Sequence, residues 1–282
     1  MIILDYSQIA LSNIIVQKLG DEDMIRHMIL NSIRMYNKRF RKEYGNIVIA
    51  ADGANSWRRA YFPQYKASRK TSREASDMDW DHIFKVLGTI REELVEYSPY
   101  KVIRVDQCEA DDVIGTLTET TQEFGRHEEV MIVSSDKDFI QLHPYGNVKQ
   151  YSPIQKKFVQ EKNPRSYFFE HVLRGDKGDG VPNILSKDEV FVDGTRQTPL
   201  SQKQIDKYIQ NAENLSSVMT EEVYRNYQRN VKLIDLKETP QDLKEKIINT
   251  YDSYKLPHKS KMMNYLIKKR CKLLIECIEE FY

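Results

Sequence analysis

Four short apolar runs, at residues 2–4, 47–51, 102–105 and 130–133, are rich in Ile and Val and almost continuously apolar. Runs of that kind suit strands covered on both faces. Between them the apolar period lengthens. Residues 21–44 carry Met24, Ile25, Met28, Ile29, Ile33 and Tyr36 at helical spacing, and Gly45 offers a stop. Residues 79–97 repeat the pattern with Trp80, Ile83, Phe84, Leu87, Ile90 and Leu94, and 109–124 reads as a third helix ended by Gly125. The alternation predicts an α/β fold, a central, mainly parallel sheet flanked by crossover helices. Helices are expected at 166–174, 201–213, 220–234, 240–253 and 260–279, with an irregular stretch of four glycines and two prolines between Gly175 and Ser201. The expected division is an α/β domain over 1–160 and a helical domain over 161–282.

In open parallel sheets ligands collect at the carboxyl ends of the strands, and here those ends are acidic. The first run ends in Asp5, the second in Asp52, the third leads to Glu109, Asp111 and Asp112, and the fourth to Asp136 and Asp138. Asp176 and Asp179 follow in the RGDKGDG segment. Each acid alone is what a turn or a helix N-terminus also selects. Together they would repel one another unless cations neutralise them. An all-oxygen donor set selects Mg²⁺, with Mn²⁺ as a substitute, rather than zinc. Two such ions about 4 Å apart can stabilise the attacking and leaving oxygens of a phosphodiester, and one can ease deprotonation of water.

The charge distribution supplies the other half. Net charge is +1, yet residues 34–73 hold eleven Lys and Arg against Glu43 and Asp52, and 255–272 add seven bases with no acid. Arg58, Arg59, Lys66, Arg69, Lys70 and Arg73 interleave with Trp57, Tyr61, Phe62 and Tyr65. Basic groups contact phosphates and aromatics stack on bases, although such aromatics equally build a small local core. No apolar run approaches ~18 residues, so no transmembrane helix is expected, and the N-terminus lacks the features of a signal peptide. Cys108, Cys271 and Cys277 form no CxxC pair, which fits a reducing cytoplasm and argues against disulfides or a zinc site. Cys108 beside Glu109 and His27 within the first long helix read as packing residues, and residues 275–282 as a helix end packed on the core or a frayed terminus, with a partner-docking tail carrying Phe281 and Tyr282 as the alternative.

Three rival functions are weaker. A non-catalytic binder of branched nucleic acid gains nothing from so many acids near phosphate. A phosphotransferase with a strand-end Asp nucleophile usually has D-x-D, which LDYS lacks. A dinucleotide enzyme would show GxGxxG after a strand, and none is present.

LDYSQIA, AADGANSWRRAYFPQYKASRK, EADD, SSDKDFIQL and LRGDKGDGVPNI, in this order, resemble the motifs of the 5′-nuclease or flap endonuclease superfamily, most closely the ribonuclease H subgroup of T-even bacteriophages. The resemblance covers nearly the whole chain. It implies a PIN-like 5′-nuclease fold with a helical arch over about 55–80 and a helix–loop–helix-like region that grips duplex. It assigns Asp5, Asp52, Glu109, Asp111, Asp112, Asp136, Asp138, Asp176 and Asp179 to the metals. Lys66 and Arg69 match the basic pair at the scissile phosphate, and Tyr65 an aromatic that stacks near the cut. The implied activity is 5′→3′ exonuclease and flap cleavage on DNA and RNA–DNA hybrids, removing RNA primers from lagging-strand fragments. A single-stranded-DNA-binding protein and a sliding clamp are implied partners, with the chain a monomer. The sequence departs from the pattern at Gly180, where the family has Asn, and in ILSKDEVFVDGTRQTP, which replaces a Gly-x-Gly turn that often holds a monovalent ion.

Overall fold

The computed structural model describes residues 1–17 and 20–282. Among the described residues, six strands form one sheet in the order β3-β2-β1-β4-β5-β6. They are β1 (Ile2–Asp5), β2 (Ile47–Ala50), β3 (Lys101–Ile103), β4 (Val130–Val133), β5 (Val148–Ser152) and β6 (Lys157–Val159). The first five run parallel and β6 is antiparallel. The chain steps from β1 outward through β2 and β3, then returns to β4 on the other side. That reversal leaves a crevice beside the carboxyl end of β1, the usual ligand position in such sheets. The register aligns Leu4 with Ile49 and with Val133, so the residues after them emerge at one edge.

Successive strand residues point to opposite faces, and both faces are covered. Ile2, Leu4, Ile47, Ile49, Met131 and Val133 pack beneath α1 (Tyr6–Gln17), α2 (Glu22–Tyr44) and α5 (Trp80–Tyr97). Ile3, Val48, Ala50, Ile103, Val130 and Ile132 pack beneath α6 (Ala110–Thr120) and α10 (Gln241–Ser253). Asp21 and Asp79 cap α2 and α5 by accepting the backbone N–H groups of Met24 and His82. No helix among the described residues is long and apolar enough to cross a membrane.

The structure refines several expectations. The arch over 55–80 is two short helices, α3 (Trp57–Tyr61) and α4 (Ser68–Glu74). Phe62 and Tyr65 are buried in a local core with Val172, Val181, Leu233 and Ile234, and Trp57 joins the core beneath α6 and α10, so these aromatics pack instead of facing a strand; α4 buries nothing. The helices over 161–282 pack in two groups. Helices α7 (Pro164–Arg174), α8 (Gln202–Gln210) and α9 (Glu221–Ile234) pack around the arch base and each other, whereas α10, α11 (Ser260–Lys268) and α12 (Lys272–Ile275) return to the sheet. The helix expected over 260–279 breaks at Arg270, which adopts φ 54°. The chain end is docked: Phe281 is buried and its carbonyl accepts the Tyr100 hydroxyl. The basic stretch over 255–272 lies away from the acids, with Tyr265 stacked on Tyr97 at the end of α5 and Lys259 beside Met1 and Asn46 at the opposite strand ends.

Candidate active site

The strand-end acids converge as the topology requires. Asp5, Asp52, Glu109, Asp111 and Asp136 line one cleft of ≈ 340 Å³ together with Lys66 and Arg69. Asp5 Oδ1 accepts the Gln8 N–H and Oδ2 the Ser134 hydroxyl. Asp52 accepts the Ser7 hydroxyl at 2.7 Å and the Ala110 N–H at 2.9 Å, which ties the end of β2 to the start of α6. Asp136 caps the turn that follows β4 by accepting the Asp138 N–H. Its carbonyl is held by the buried amide of Gln150 on β5.

Electrostatics divide these acids into two sets. Burial, with Asp52 nearby, pushes the Asp5 carboxyl up to about 6. Burial and neighbouring Asp138 push Asp136 up to about 7. Burial and Asp136 raise Asp111 well above the ordinary carboxylate range. Lys66 offsets the charge of Asp5 and Asp111 only in part, so the three acids stay raised in a confined space, and a bound cation would relieve them. Their donor atoms are all oxygens, which fits a hard divalent ion.

The second set is already paired. Asp112 is wholly buried, and burial opposes its charge, yet Arg58 outweighs that and holds it low. Its carboxylate receives Arg58 Nη1 at 2.9 Å, the Thr239 hydroxyl at 2.8 Å, the Glu109 N–H at 2.8 Å and Trp57 Nε1 at 3.3 Å. Those four donors fill the hydrogen-bonding capacity of the Asp112 carboxylate and tie it to the scaffold. Arg58, expected on nucleic acid, is 2% exposed; its Nε donates to the Leu233 carbonyl and Nη1 also reaches Glu109. Tyr65, expected to stack on a base, is buried with its hydroxyl 2.8 Å from both Glu109 and Asp179.

Lys66 joins the two sets. Its Nζ lies 2.7 Å from Glu109 and 3.5 Å from Asp179, and Arg69 donates to Asp179 at 2.7 Å. Burial opposes the charge on Asp179, but Lys66 and Arg69 dominate and lower it. Lys66 has φ 55° and its N–H donates to the Asp179 carbonyl at 2.7 Å, so the basic loop is stitched to the 176–180 loop. Gly180 completes that seam. Its φ is +72°, and a Cβ there would sit 3.0 Å from the Gln64 carbonyl oxygen. This close approach gives a physical reason for the departure from Asn. Arg59, Lys70 and Arg73 are exposed, as nucleic-acid contacts require. An open groove of ≈ 990 Å³ runs past Ser68, Arg69, Ser72, Lys177 and Arg196, between α4 and the loop after Asp179.

Asp138 and Asp176 form a third group with a residue that sequence reasoning missed. His171 Nε2 lies 2.8 Å from Asp138 Oδ1 and 3.9 Å from Asp176 Oδ2. Burial opposes protonation of the ring, but Asp138 and Asp176 outweigh it and raise its pKa. The available signal was position alone: His171 precedes the Gly175–Asp176 turn by one helical turn.

A family model described as 5′-3′ exonuclease, N-terminal resolvase-like domain, matches residues 11–170, and one described as T4 RNase H, C terminal, matches 163–281. The chain therefore belongs to the 5′-3′ exonuclease family, a family of phosphodiesterases that includes flap endonucleases. Within it, the chain is 36% identical to the ribonuclease H of Enterobacteria phage T4, over 99% of this chain and 95% of that one. It is 34% identical to the flap endonuclease Xni of Shewanella piezotolerans over 49% of this chain and 53% of the relative. A crystal structure of the T5 D15 protein co-crystallized with metal ions shares the fold, with a TM-score of 0.62 at 19% identity over 89% of this chain and 97% of that one.

Proposed function

We propose that this chain is a Mg²⁺-dependent 5′→3′ exonuclease and flap endonuclease, acting on DNA and RNA–DNA hybrids and releasing 5′-phosphate products. The observation that carries the reading is the cleft that gathers Asp5, Asp111 and Asp136, whose carboxyls are raised by burial and by one another, with Lys66 and Arg69 in its lining. Asp5, Asp52, Glu109, Asp111 and Asp136 would hold one divalent ion, and Asp138 and Asp176 a second, with Asp179 orienting that loop. Mn²⁺ would substitute. When bound, the ions supply Lewis-acid stabilisation of the attacked phosphate and activation of water.

The chain's own groups do the rest. Lys66 and Arg69 are held by Glu109 and Asp179 in the lining of the cleft, where they would stabilise charge developing on a phosphate. Arg59, Lys70 and Arg73 hold the backbone of the incoming strand, and the groove beside Arg69 and Lys177 receives it. The biological role that fits is removal of RNA primers from lagging-strand fragments. Its substrates are flapped, nicked or branched duplexes, and a single-stranded-DNA-binding protein and a sliding clamp are suitable partners for a monomer in the host cytoplasm.

The test is release of product from a 5′-labelled flap. Asp136→Asn or Asp138→Asn should abolish Mg²⁺-dependent cleavage and leave DNA binding largely intact. Undiminished cleavage in either variant would overturn the assignment, and binding without any cleavage by the unaltered protein would make it a junction-binding module.

A further inference from the structure

The acids of the cleft differ from Asp138 and Asp176 in what stands beside them. Around Asp5, Asp52, Asp111 and Asp136 the candidate donors are oxygens. Beside Asp138 and Asp176 stands a ring nitrogen. His171 lies in the last turn of α7, and Gly175 ends that helix at φ +68°, with its N–H donating to the His171 carbonyl. A Cβ at Gly175 would lie 2.4 Å from the Val181 carbonyl oxygen, so only glycine lets the chain double back here. The turn brings Asp176 toward His171, and the turn after β4 presents Asp138 from the opposite side. One ligand atom from each of the three residues lies within 4.8 Å of the other two. An ion with bonds of about 2.1 Å holds adjacent donors about 3 Å apart and opposite donors about 4 Å apart. The spacings of 2.8 and 3.9 Å match that scale.

We propose that His171 is a direct ligand of the ion held by Asp138 and Asp176, and that it biases this position toward first-row transition ions over Mg²⁺. The inference rests on the metal-dependent reading above. Mg²⁺ prefers oxygen donors and gives up water reluctantly, whereas an imidazole nitrogen adds affinity for Mn²⁺, Co²⁺ and their heavier neighbours. The two positions would then differ in kind: an all-oxygen position suited to Mg²⁺ and a mixed nitrogen–oxygen position that discriminates among ions.

The test reads the bond itself. Mn²⁺ is added to the full-length protein and electron spin-echo envelope modulation is recorded. Modulation from a coordinated ¹⁴N nucleus in the unaltered protein, lost in His171→Gln, is the expected result. Competition between Mn²⁺ and Mg²⁺, followed by the signal of free Mn²⁺, should show the Mn²⁺ preference falling about tenfold or more in His171→Gln. Bound Mn²⁺ without ¹⁴N modulation in the unaltered protein would overturn the proposal, reduce His171 to a hydrogen-bond partner of Asp138, and leave the nuclease reading standing. No bound Mn²⁺ at all would overturn both. The first measurement needs no variant, so a folding defect in His171→Gln cannot obscure it.

Discussion

Asp112 and Asp136 are acids of the same strand-end cluster with opposite fates. Asp112 is sealed beneath α3 with Arg58, Thr239 and Trp57 around it, and its carboxyl is held low. Asp136 opens onto the cleft with other acids for neighbours, and its carboxyl is pushed up to about 7. One acid is satisfied by the protein, whereas the other is crowded by acids. The contrast shows that a run of acids in a motif does not make a run of ligands. A buried carboxylate with a full complement of donors is part of the scaffold, and the acid crowded by other acids is the candidate for cation binding.

Substitutions at the two positions should therefore separate activity from stability. Asp136→Asn is expected to lower flap cleavage by at least about a thousandfold, consistent with loss of an ion's contribution to charge stabilisation. The same variant should raise the melting temperature in EDTA, because it removes repulsion within the cleft. Asp112→Ala should do the reverse. It leaves Arg58 buried without its main partner and should cost about 3–5 kcal/mol in urea unfolding, with the response to Mg²⁺ retained in the folded fraction. A large loss of stability from Asp136→Asn, or none from Asp112→Ala, would break the comparison.

Smaller effects sharpen it. Lys66→Met should lower the cleavage rate by about a hundredfold with folding intact, as expected for one donor to developing charge. The metal-free protein should also lose stability as pH rises. Asp5 and Asp136 have folded values of about 6 and about 7 against the ordinary 3.8. The folded state therefore holds protons that the unfolded state releases. The stability those protons confer is complete below about pH 4 and fades as pH climbs through 6 and 7. Thermal melts in EDTA from pH 5 to 8 should show the decline, Mg²⁺ should reverse it at pH 8, and Asp136→Asn should flatten it. Lys70→Ala, on the exposed face of α4, should weaken DNA binding only slightly and mainly at low salt.

Much of this was legible in the chain. The run at 130–133 is the observed β4, and the other three early strands shift by one or two residues. They were visible because strands covered on both faces read as continuous apolar runs. β5 was not, because Lys149 and Gln150 interrupt its apolar pattern; Gln150 is 1% exposed only because its amide serves the Ser134 and Asp136 carbonyls. The three residues of β6 at the sheet edge left too little pattern to read. The acids announced the site, but not which of them were already paired. That depended on Arg58 and Thr239, whose distance in sequence from Asp112 hides their contact. Tyr65 was misread for a related reason: a basic aromatic segment looks the same whether its rings face a strand of nucleic acid or Val172 and Leu233. His171 carried no motif and was found only by its distance to Asp138.

An anomalous difference map from crystals soaked in Mn²⁺ puts the distinction between strained and satisfied acids to the most direct test. Peaks within coordination distance of Asp111 and Asp136, and of Asp138 and Asp176, with none at Asp112, are the predicted result. A peak at Asp112, or an empty cleft under saturating Mn²⁺, would contradict it.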